Sequence, residues 1–258
     1  MLRILSYNIR FGGSGREASI AAVIRAAEPD VVVLQEASDP GVVETLSELT
    51  GMKYWGARAG YSTGYLSRTP VGHAWYHPRG ARHAFLELVL PGDDGRIYGL
   101  HLNPWFSKWS EQRRAREIRA LLESIREHQN GFHVIAGDFN ALAPGAVLNT
   151  KHMPRWIQAM VWLSGRDIAR DTIEVLLSAQ YVDAWRVHHE KDDGYTFPTW
   201  NPHVRLDYVF TPERYQHRLL HCDVLRGDTE AKEASDHFPL LVHIDMAVAS
   251  SRPVLMAD

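Results

Sequence analysis

Short apolar segments that end in an acid, an amide or an imidazole recur along this chain. The segment HVIAGDFNA, at 133–141, stays apolar through Ala136 and then presents Asp138 and Asn140. Such a run is typical of a strand that is buried on both faces, as in a sheet covered by other layers. Residues two apart on a strand share a face, so Asp138 and Asn140 are predicted to lie side by side. Either a functional site or a strand that runs into solvent would produce this pattern.

The order of the predicted elements indicates an α/β fold. The first two strands are separated by a helix, and the turn PGDDG joins two later strands into a hairpin. No linker, repeat or low-complexity segment divides the chain, so we expect a single domain over 1–246 and a tail over 247–258. Strands are predicted at 2–9, 30–37, 64–71, 84–90, 96–103, 132–140, 205–210 and 237–244, and helices at 17–28, about 111–128 and much of 145–179.

The composition limits the classes of protein to which this chain can belong. The chain has 28 Lys and Arg against 31 Asp and Glu, a formal net charge of -3, so any nucleic-acid binding would need a local basic patch. The single cysteine, Cys222, excludes an intramolecular disulfide. No segment approaches the roughly 18 apolar residues of a membrane span, and the N-terminus lacks the apolar core of a signal peptide. We expect a cytoplasmic protein, and no protein partner is predicted.

The polar residues at the predicted strand ends suit a hard cation. Grouped carboxylates repel each other unless a cation lies between them. Carboxylate and amide oxygens without cysteine favour Mg²⁺ or Mn²⁺ over zinc, and the zinc motif HExxH is absent. For each residue alone, a capped strand or a satisfied core polar group is the simpler explanation. The group as a whole predicts a metal site.

Six short motifs resemble those of the endonuclease/exonuclease/phosphatase superfamily. The resemblance extends over about residues 2–244 and is most specific in the last three motifs. In chain order the motifs are LSYNIR, VVVLQEA, GLHLN, IAGDFNA, RLDYVF and SDHFPL.

The resemblance implies a four-layer α/β/β/α sandwich in which two mixed β-sheets lie face to face, with a site at one edge. It also implies that Glu36, assisted by Asn8 and Asp236, binds the divalent metal ion. Mg²⁺ or Mn²⁺ is the expected cofactor.

The same resemblance implies the catalytic roles. Asp138 is similar to the acid that activates water, and Asn140 to the residue that holds a phosphate oxygen. His237, oriented by Asp207, and His101 are similar to the family's histidine pair. Asp138 and His237 are alternative general bases.

The resemblance implies that the substrate is a phosphate ester. The stretch EQRRAREIR, at 111–119, is predicted to be a solvated helix face rather than a nucleic-acid grip. Arg68 after a predicted strand and the aromatic residues Trp105 and Trp109 are predicted to contact substrate, and Trp156 and Trp162 also follow the Asp138 motif. We expect hydrolysis of a phosphodiester, with a small or lipid-like molecule favoured. Nuclease activity on DNA is the alternative, followed by a phosphomonoesterase or a non-catalytic binding protein.

Overall fold

Two six-stranded mixed sheets form the centre of the molecule. They are seen in a computed structural model that describes residues 1–105, 107–146, 169–227 and 229–247. The first sheet contains, in order, β11 (Leu219–Val224), β12 (Leu240–Ile244), β1 (Leu2–Asn8), β2 (Val31–Gln35), β4 (Thr63–Ser67) and β3 (Tyr54–Gly56). The second contains β5 (Gly72–Tyr76), β6 (Phe85–Val89), β7 (Arg96–His101), β8 (His133–Asp138), β10 (Asp207–Pro212) and β9 (Tyr181–Asp183).

Helices cover the outer face of each sheet. Within the described ranges they are α1 (Glu17–Ala27), α2 (Pro40–Thr50), α3 (Lys108–Ser124), α4 (Asp171–Ser178) and α6 (Thr229–Ala234), whereas the short α5 (Ala184–His188) packs Ala184 and Trp185 into the cluster between the sheets. Short 3-10 turns lie at Phe11–Gly13, Pro91–Asp93, Arg126–His128 and Glu213–Arg218.

The apolar residues divide into three clusters that separate four layers. Alternate residues of a strand face opposite sides, so Ile4 of β1 packs between the sheets whereas Leu5 packs against α1. On β8, Val134 faces the first sheet and Ile135 packs on the side of α3 with Ile118. The architecture is therefore the predicted α/β/β/α sandwich of two mixed sheets.

The strand directions define two ends of the sandwich. In each sheet the two central strands are parallel, with Asn8 of β1 beside Gln35 of β2 and His101 of β7 beside Asp138 of β8. The side chain of Asn8 also contacts Asp138 across the sheets. We call the end where β1, β2, β7 and β8 finish the site end, and the other the opposite end. Antiparallel neighbours such as β10 begin at the site end, where Asp207 pairs with Asp138.

The predicted boundaries of the elements need several corrections. α1 and the β6–β7 hairpin are confirmed. The helix predicted at about 111–128 instead extends from Lys108 to Ser124. It begins at Lys108 because the side chain of Ser107 caps it by accepting a hydrogen bond from Ser110 N. The sequence analysis missed α2, α5, α6, β3, β5, β9 and β11. α2 carries a recognisable signature, an Asp39 N-cap that accepts from Gly41 N at 2.9 Å and a left-handed Gly51 at its end.

Residues 147–168 lie outside the described residues. The helical prediction for 145–179 falls on them in part, and Trp156 and Trp162 are among them. The predicted tail also lies outside the described residues, except for Ala247. None of the helices in the described ranges has the length and apolar character that a membrane span requires.

Candidate active site

Asn8 joins the two sheets at the site end. Its Nδ2 donates hydrogen bonds to Glu36 Oε1 at 3.2 Å and to Asp138 Oδ2 at 3.0 Å. Asn8 is the last residue of β1 and Asp138 is the last residue of β8, while Glu36 directly follows β2. Two carboxylates from different sheets therefore face one amide group.

Asp138 is almost completely buried and holds its proton more tightly than an exposed acid. Burial raises the pKa of Asp138 to about 7, and the nearby Asp207 carboxylate adds to this effect, although His237 opposes it. Asp138 Oδ1 accepts a hydrogen bond from Asn140 N at 2.8 Å, which fixes the direction of the other carboxylate oxygen. A carboxylate with this pKa can both accept and release a proton near neutral pH.

His237 lies between two carboxylates. Its Nδ1 is 2.8 Å from Asp207 Oδ2, and its Nε2 is 3.9 Å from Asp138 Oδ2. Burial alone would lower the pKa of His237, but the carboxylates of Asp207 and Asp138 outweigh it and raise the pKa to about 10. The ring is therefore an imidazolium, held in orientation by Asp207.

His101 approaches Asp138 from the neighbouring strand, and its Nε2 is 3.8 Å from Asp138 Oδ2. Burial lowers the pKa of His101 to about 4, while the Glu36 carboxylate partly opposes this shift. The two histidines at Asp138 thus have opposite protonation states: His101 is neutral and His237 is charged.

Asn140 reaches the site by a different route from the predicted one. β8 ends at Asp138, and Asn140 has a positive φ of 49°, so the two residues do not share a strand face. The side chain of Asn140 donates from Nδ2 to the carbonyl of Leu102 at 3.0 Å, beside His101. Asn140 therefore links the ends of β7 and β8.

The residues predicted to bind metal have distinct surroundings. Glu36 adopts a positive φ of 58°, and its Oε2 accepts a hydrogen bond from Phe11 N at 2.5 Å. Asp236 instead has a cationic partner, since its Oδ2 is 3.4 Å from Arg10 Nε. Glu36 and Asn8 lie together at the site, whereas the Arg10 guanidinium already balances the charge of Asp236.

Three features of the site fit a divalent cation. Glu36 and Asp138 both contact Asn8, a concentration of negative charge that a cation would neutralise. The Oδ1 atom of Asp207 is buried and has no hydrogen-bond partner among the described residues. Asp138, Asp207 and His237 also form the one group in the described part of the chain whose ligand-type atoms lie within 4.8 Å of one another, and the two carboxylates are its usable donors because the His237 ring is protonated. Oxygen donors predominate, as hard cations require.

The sequence model of the Endonuclease/Exonuclease/phosphatase family matches residues 5–237. The chain belongs to this family. The match covers every site residue named above, and membership confirms that the chain is an enzyme of the phosphoesterase and nuclease type. The family depends on a divalent metal, in agreement with the donors at the site. Comparison with curated protein sequences gives no match.

Solved structures of low sequence identity share the fold. An AP endonuclease from Archaeoglobus fulgidus superposes with a TM-score of 0.71 at 17% identity, covering 95% of this chain and 100% of that chain. The 3' phosphatase NExo from Neisseria, bound to product DNA hairpin, gives 0.68 at 17% identity, with 95% and 100% covered. Humanized D. rerio TDP2 gives 0.65 at 19% identity, with 95% and 98% covered.

The prediction that Arg68 contacts substrate at this family site is wrong. β4 runs antiparallel to β2, so Thr63 lies beside Gln35 at the site end and Ser67 lies beside Val31 at the opposite end. Arg68 follows Ser67, and its Nε donates to the carbonyl of Pro29 at 2.8 Å. It therefore supports a turn at the opposite end of the sandwich. Trp105 and Trp109 do lie at the site end, on the chain that follows β7, and their contact with substrate stays a prediction.

Ser235 is a site residue that sequence reasoning missed. Its Oγ donates to the carbonyl of Asn8 at 2.6 Å and accepts from His237 N at 3.3 Å. It therefore fixes the segment with His237 against the end of β1. Its place in SDHFPL was the available signal, because small hydroxyl residues commonly bond nearby backbone in turns.

Two basic loops at the site end were also missed. The β3–β4 loop carries Arg58, and the β5–β6 loop carries Arg79 and Arg82, all three exposed. Neither loop contains an acid. Strand directions place both loops at the end that holds Glu36 and His101. The sequence did not reveal this patch because the three arginines are dispersed among glycines and small residues.

Proposed function

We propose that the protein hydrolyses phosphodiester bonds of nucleic acid with the help of a divalent cation. The observation that carries the proposal is the buried arrangement of Asp138 between His101, His237 and Asn8, with Glu36 on the same amide. Phosphodiester hydrolysis needs a cation, a group that accepts the proton of water and groups that balance charge on the phosphoryl oxygens. The site offers residues for all three tasks.

Glu36 is the proposed principal metal ligand, with Asn8 and Asp236 beside it. A bound Mg²⁺ or Mn²⁺ would neutralise charge on the phosphate and stabilise the additional charge of the transition state. Asp236 would have to exchange its contact with Arg10 for this role, so its share in binding is smaller than that of Glu36.

Asp138 is the proposed general base. Its Oδ2 faces both histidines and accepts a hydrogen bond from Asn8 Nδ2, and Asn140 N holds the other oxygen. His237 is less suited to this role, because the flanking carboxylates keep its ring protonated. It would instead donate hydrogen bonds to phosphoryl oxygens, with Asp207 fixing its orientation. Asn140 and His101 would contact the phosphate and the departing oxygen.

Nucleic acid is the proposed substrate class because the site end is locally basic. Arg58, Arg79 and Arg82 are exposed there, although the whole chain carries a net charge of -3. Polyanion binding depends on such local charge rather than on the total. Two of the structural neighbours, the AP endonuclease and the phosphatase bound to product DNA hairpin, carry a nucleic-acid role in their descriptions.

A small or lipid-like phosphodiester is the second candidate. The exposed aromatic residues Trp105 and Trp109 support it, since aromatic side chains also line sites for apolar groups. The binding of nucleic acid should weaken more steeply with salt concentration than the binding of a small diester. A nucleic acid releases several counterions when it binds, and a small diester does not.

The test is a parallel assay of the purified protein with Mg²⁺ or Mn²⁺. The substrates are DNA and RNA oligonucleotides, bis(p-nitrophenyl) phosphate and sphingomyelin. We expect the highest kcat/KM on an oligonucleotide. The double variant Arg79→Ala/Arg82→Ala is expected to reduce the slope of log KM against log salt by about two. Arg126→Ala at the opposite end, also exposed, is the matched control. Selective cleavage of sphingomyelin, with no turnover of oligonucleotides, would contradict the nucleic-acid proposal.

A further inference from the structure

Four exposed aromatic side chains lie on chain segments at the site end, and we call them the aromatic rim. Phe11, Trp105, Trp109 and Trp200 are 79%, 58%, 86% and 65% exposed. Among the described residues they are the phenylalanine and tryptophan side chains that are more than half exposed. All four lie on chain segments at the site end, although single exposed aromatics are scattered over the surface of most proteins.

Phe11 is held beside the proposed metal ligand by a rigid backbone. Its N–H donates to Glu36 Oε2, and both Arg10 and Phe11 have positive φ values, 52° and 45°. Side chains other than glycine rarely adopt this conformation, which persists only where the surroundings enforce it. The Arg10 guanidinium lies 5.4 Å from the Phe11 ring centre and adds a positive charge next to the aromatic face.

Trp105 is held by a fully buried ion pair. Arg114 of α3 donates from Nη1 to the carbonyls of Asn103 and Trp105, at 2.7 and 2.9 Å, and from Nη2 to Glu111 at 2.7 Å. This pair overturns the prediction that the helix at 111–119 presents a simple solvated face, because Glu111 and Arg114 are both 0% exposed. Glu111 also accepts from Thr172 N at 2.8 Å. The ion pair therefore fixes the loop that follows His101.

Trp200 is held on the other side of the site. The segment before it is bound to the segment with His237, since Thr199 N donates to the carbonyl of Asp236 and Phe238 N donates to the carbonyl of Thr196. The ring of Phe197 lies 4.8 Å from the ring of His237 and 6.3 Å from that of Trp200. A continuous row of rings thus leads from the catalytic histidine to the surface.

We propose that the aromatic rim stacks on unpaired bases, so that the substrate is a single-stranded nucleic acid or an unpaired strand end. The proposal rests on the proposed function and specifies its substrate. Base faces in a duplex are covered by their neighbours, whereas unpaired bases expose them to aromatic side chains. The exposed arginines at the same end would contact the phosphates between those bases. An apolar ligand without phosphate would leave these arginines unused.

The test measures binding without hydrolysis. Fluorescence anisotropy in excess chelator compares three labelled 12-nucleotide ligands: a single strand, its duplex, and an abasic single strand with the same phosphates. We expect the base-containing single strand to bind at least about 10-fold more tightly than the abasic strand and more tightly than the duplex. Phe11→Ala and Trp200→Ala should each weaken binding of the base-containing strand about 10-fold and of the abasic strand less than about 2-fold. Tyr54→Ala, an exposed aromatic at the opposite end, is the control.

Equal affinity for the base-containing and abasic strands, or tighter binding of the duplex, would overturn the proposal. An equal loss for both single strands in Phe11→Ala and Trp200→Ala would also overturn it, since stacking requires bases. Binding is measured in excess chelator and therefore does not depend on turnover. A strand that binds through its bases but is not cleaved with metal would contradict the proposed function and the strand's role as substrate, while it would still support the stacking of bases on the rim.

Discussion

Strand β8 carries a buried ionisable residue at each end, and the two residues differ in their partners. His133 begins the strand at the opposite end of the sandwich, and Asp138 finishes it at the site end. Both are essentially inaccessible to solvent. The ring nitrogens of His133 lie 3.0 Å from the carbonyl of Gly131 and 2.7 Å from the hydroxyl of Tyr181. Asp138 instead faces two histidines and an amide shared with Glu36.

Burial favours the neutral form of both residues. Burial lowers the pKa of His133 to about 4 and raises the pKa of Asp138 to about 7. At neutral pH His133 is therefore an uncharged residue with neutral hydrogen-bond partners, whereas Asp138 is poised to exchange a proton. The two ends of β8 therefore differ in the charge of the groups around the buried residue and not in the extent of its burial.

The same contrast extends to the loops. The β3–β4 and β5–β6 loops at the site end carry Arg58, Arg79 and Arg82 and no acid, whereas the PGDDG turn at the opposite end carries Asp93 and Asp94 and no base. Substitutions at the site end should therefore lower turnover, and substitutions at the opposite end should lower stability.

Removal of the metal should abolish turnover. We expect excess chelator to reduce hydrolysis of bis(p-nitrophenyl) phosphate to the uncatalysed rate, and Mg²⁺ or Mn²⁺ to restore it, because the carboxylates at the site end need a cation to bind a phosphate. His133→Gln should respond in the same way as the wild type. Full activity in excess chelator would exclude a role for the cation.

Loss of the imidazolium should have the next largest effect. We expect His237→Ala to lower kcat by about 10²–10⁴-fold, since it removes the charged ring that Asp207 orients. The measurement is steady-state kinetics with metal present, with circular dichroism to show that the variant is folded. Turnover within about 3-fold of wild type in a folded His237→Ala protein would remove His237 from the mechanism.

A substitution of His133, at the opposite end of β8, should lower stability and not turnover. We expect His133→Ala to lower the free energy of unfolding by about 2–3 kcal/mol, because it leaves a cavity and an unpaired Tyr181 hydroxyl. Urea titration measures this change. The kcat of the folded variant should stay within about 2-fold of wild type, and a large fall in kcat without a change in stability would reverse the assignment of the two ends.

The pH dependence of stability should also come in part from His133. Its pKa is lowered in the folded state, so the unfolded chain takes up the proton first as pH falls below about 6.5. The contribution of His133 to the free energy of unfolding is complete above that pH and is lost as the pH falls toward 4. Between pH 7 and pH 5 the free energy of unfolding should fall by about 2 kcal/mol for this reason. His133→Gln should flatten the wild-type curve of unfolding free energy against pH by this amount. Parallel curves for the two proteins would contradict the shift.

Much of the site was predictable because it is built from strand ends. Apolar runs that finish in His101 and Asp138 imply that these residues meet if β7 and β8 are parallel neighbours, whereas Asn8 meets Asp138 only because the two sheets lie face to face. Arg68 was misplaced because the direction of β4 depends on its pairing with β2, which the sequence of β4 does not encode.

The partners of isolated polar residues were harder to predict. His133 finds Tyr181 only through the fold, and the buried pair Glu111–Arg114 has the same helical spacing as a solvated one. Helix α2, by contrast, had a cap and a terminating glycine that the sequence analysis overlooked.

The most direct test of the central claim compares Asp138→Asn with His133→Gln in one buffer, measuring kcat and the free energy of unfolding for each. The account predicts that Asp138→Asn loses at least about 10²-fold in kcat while its stability stays within about 1 kcal/mol of wild type, and that His133→Gln shows the reverse pattern. Near-normal kcat in a folded Asp138→Asn protein would contradict the assignment of Asp138 as the residue that activates water.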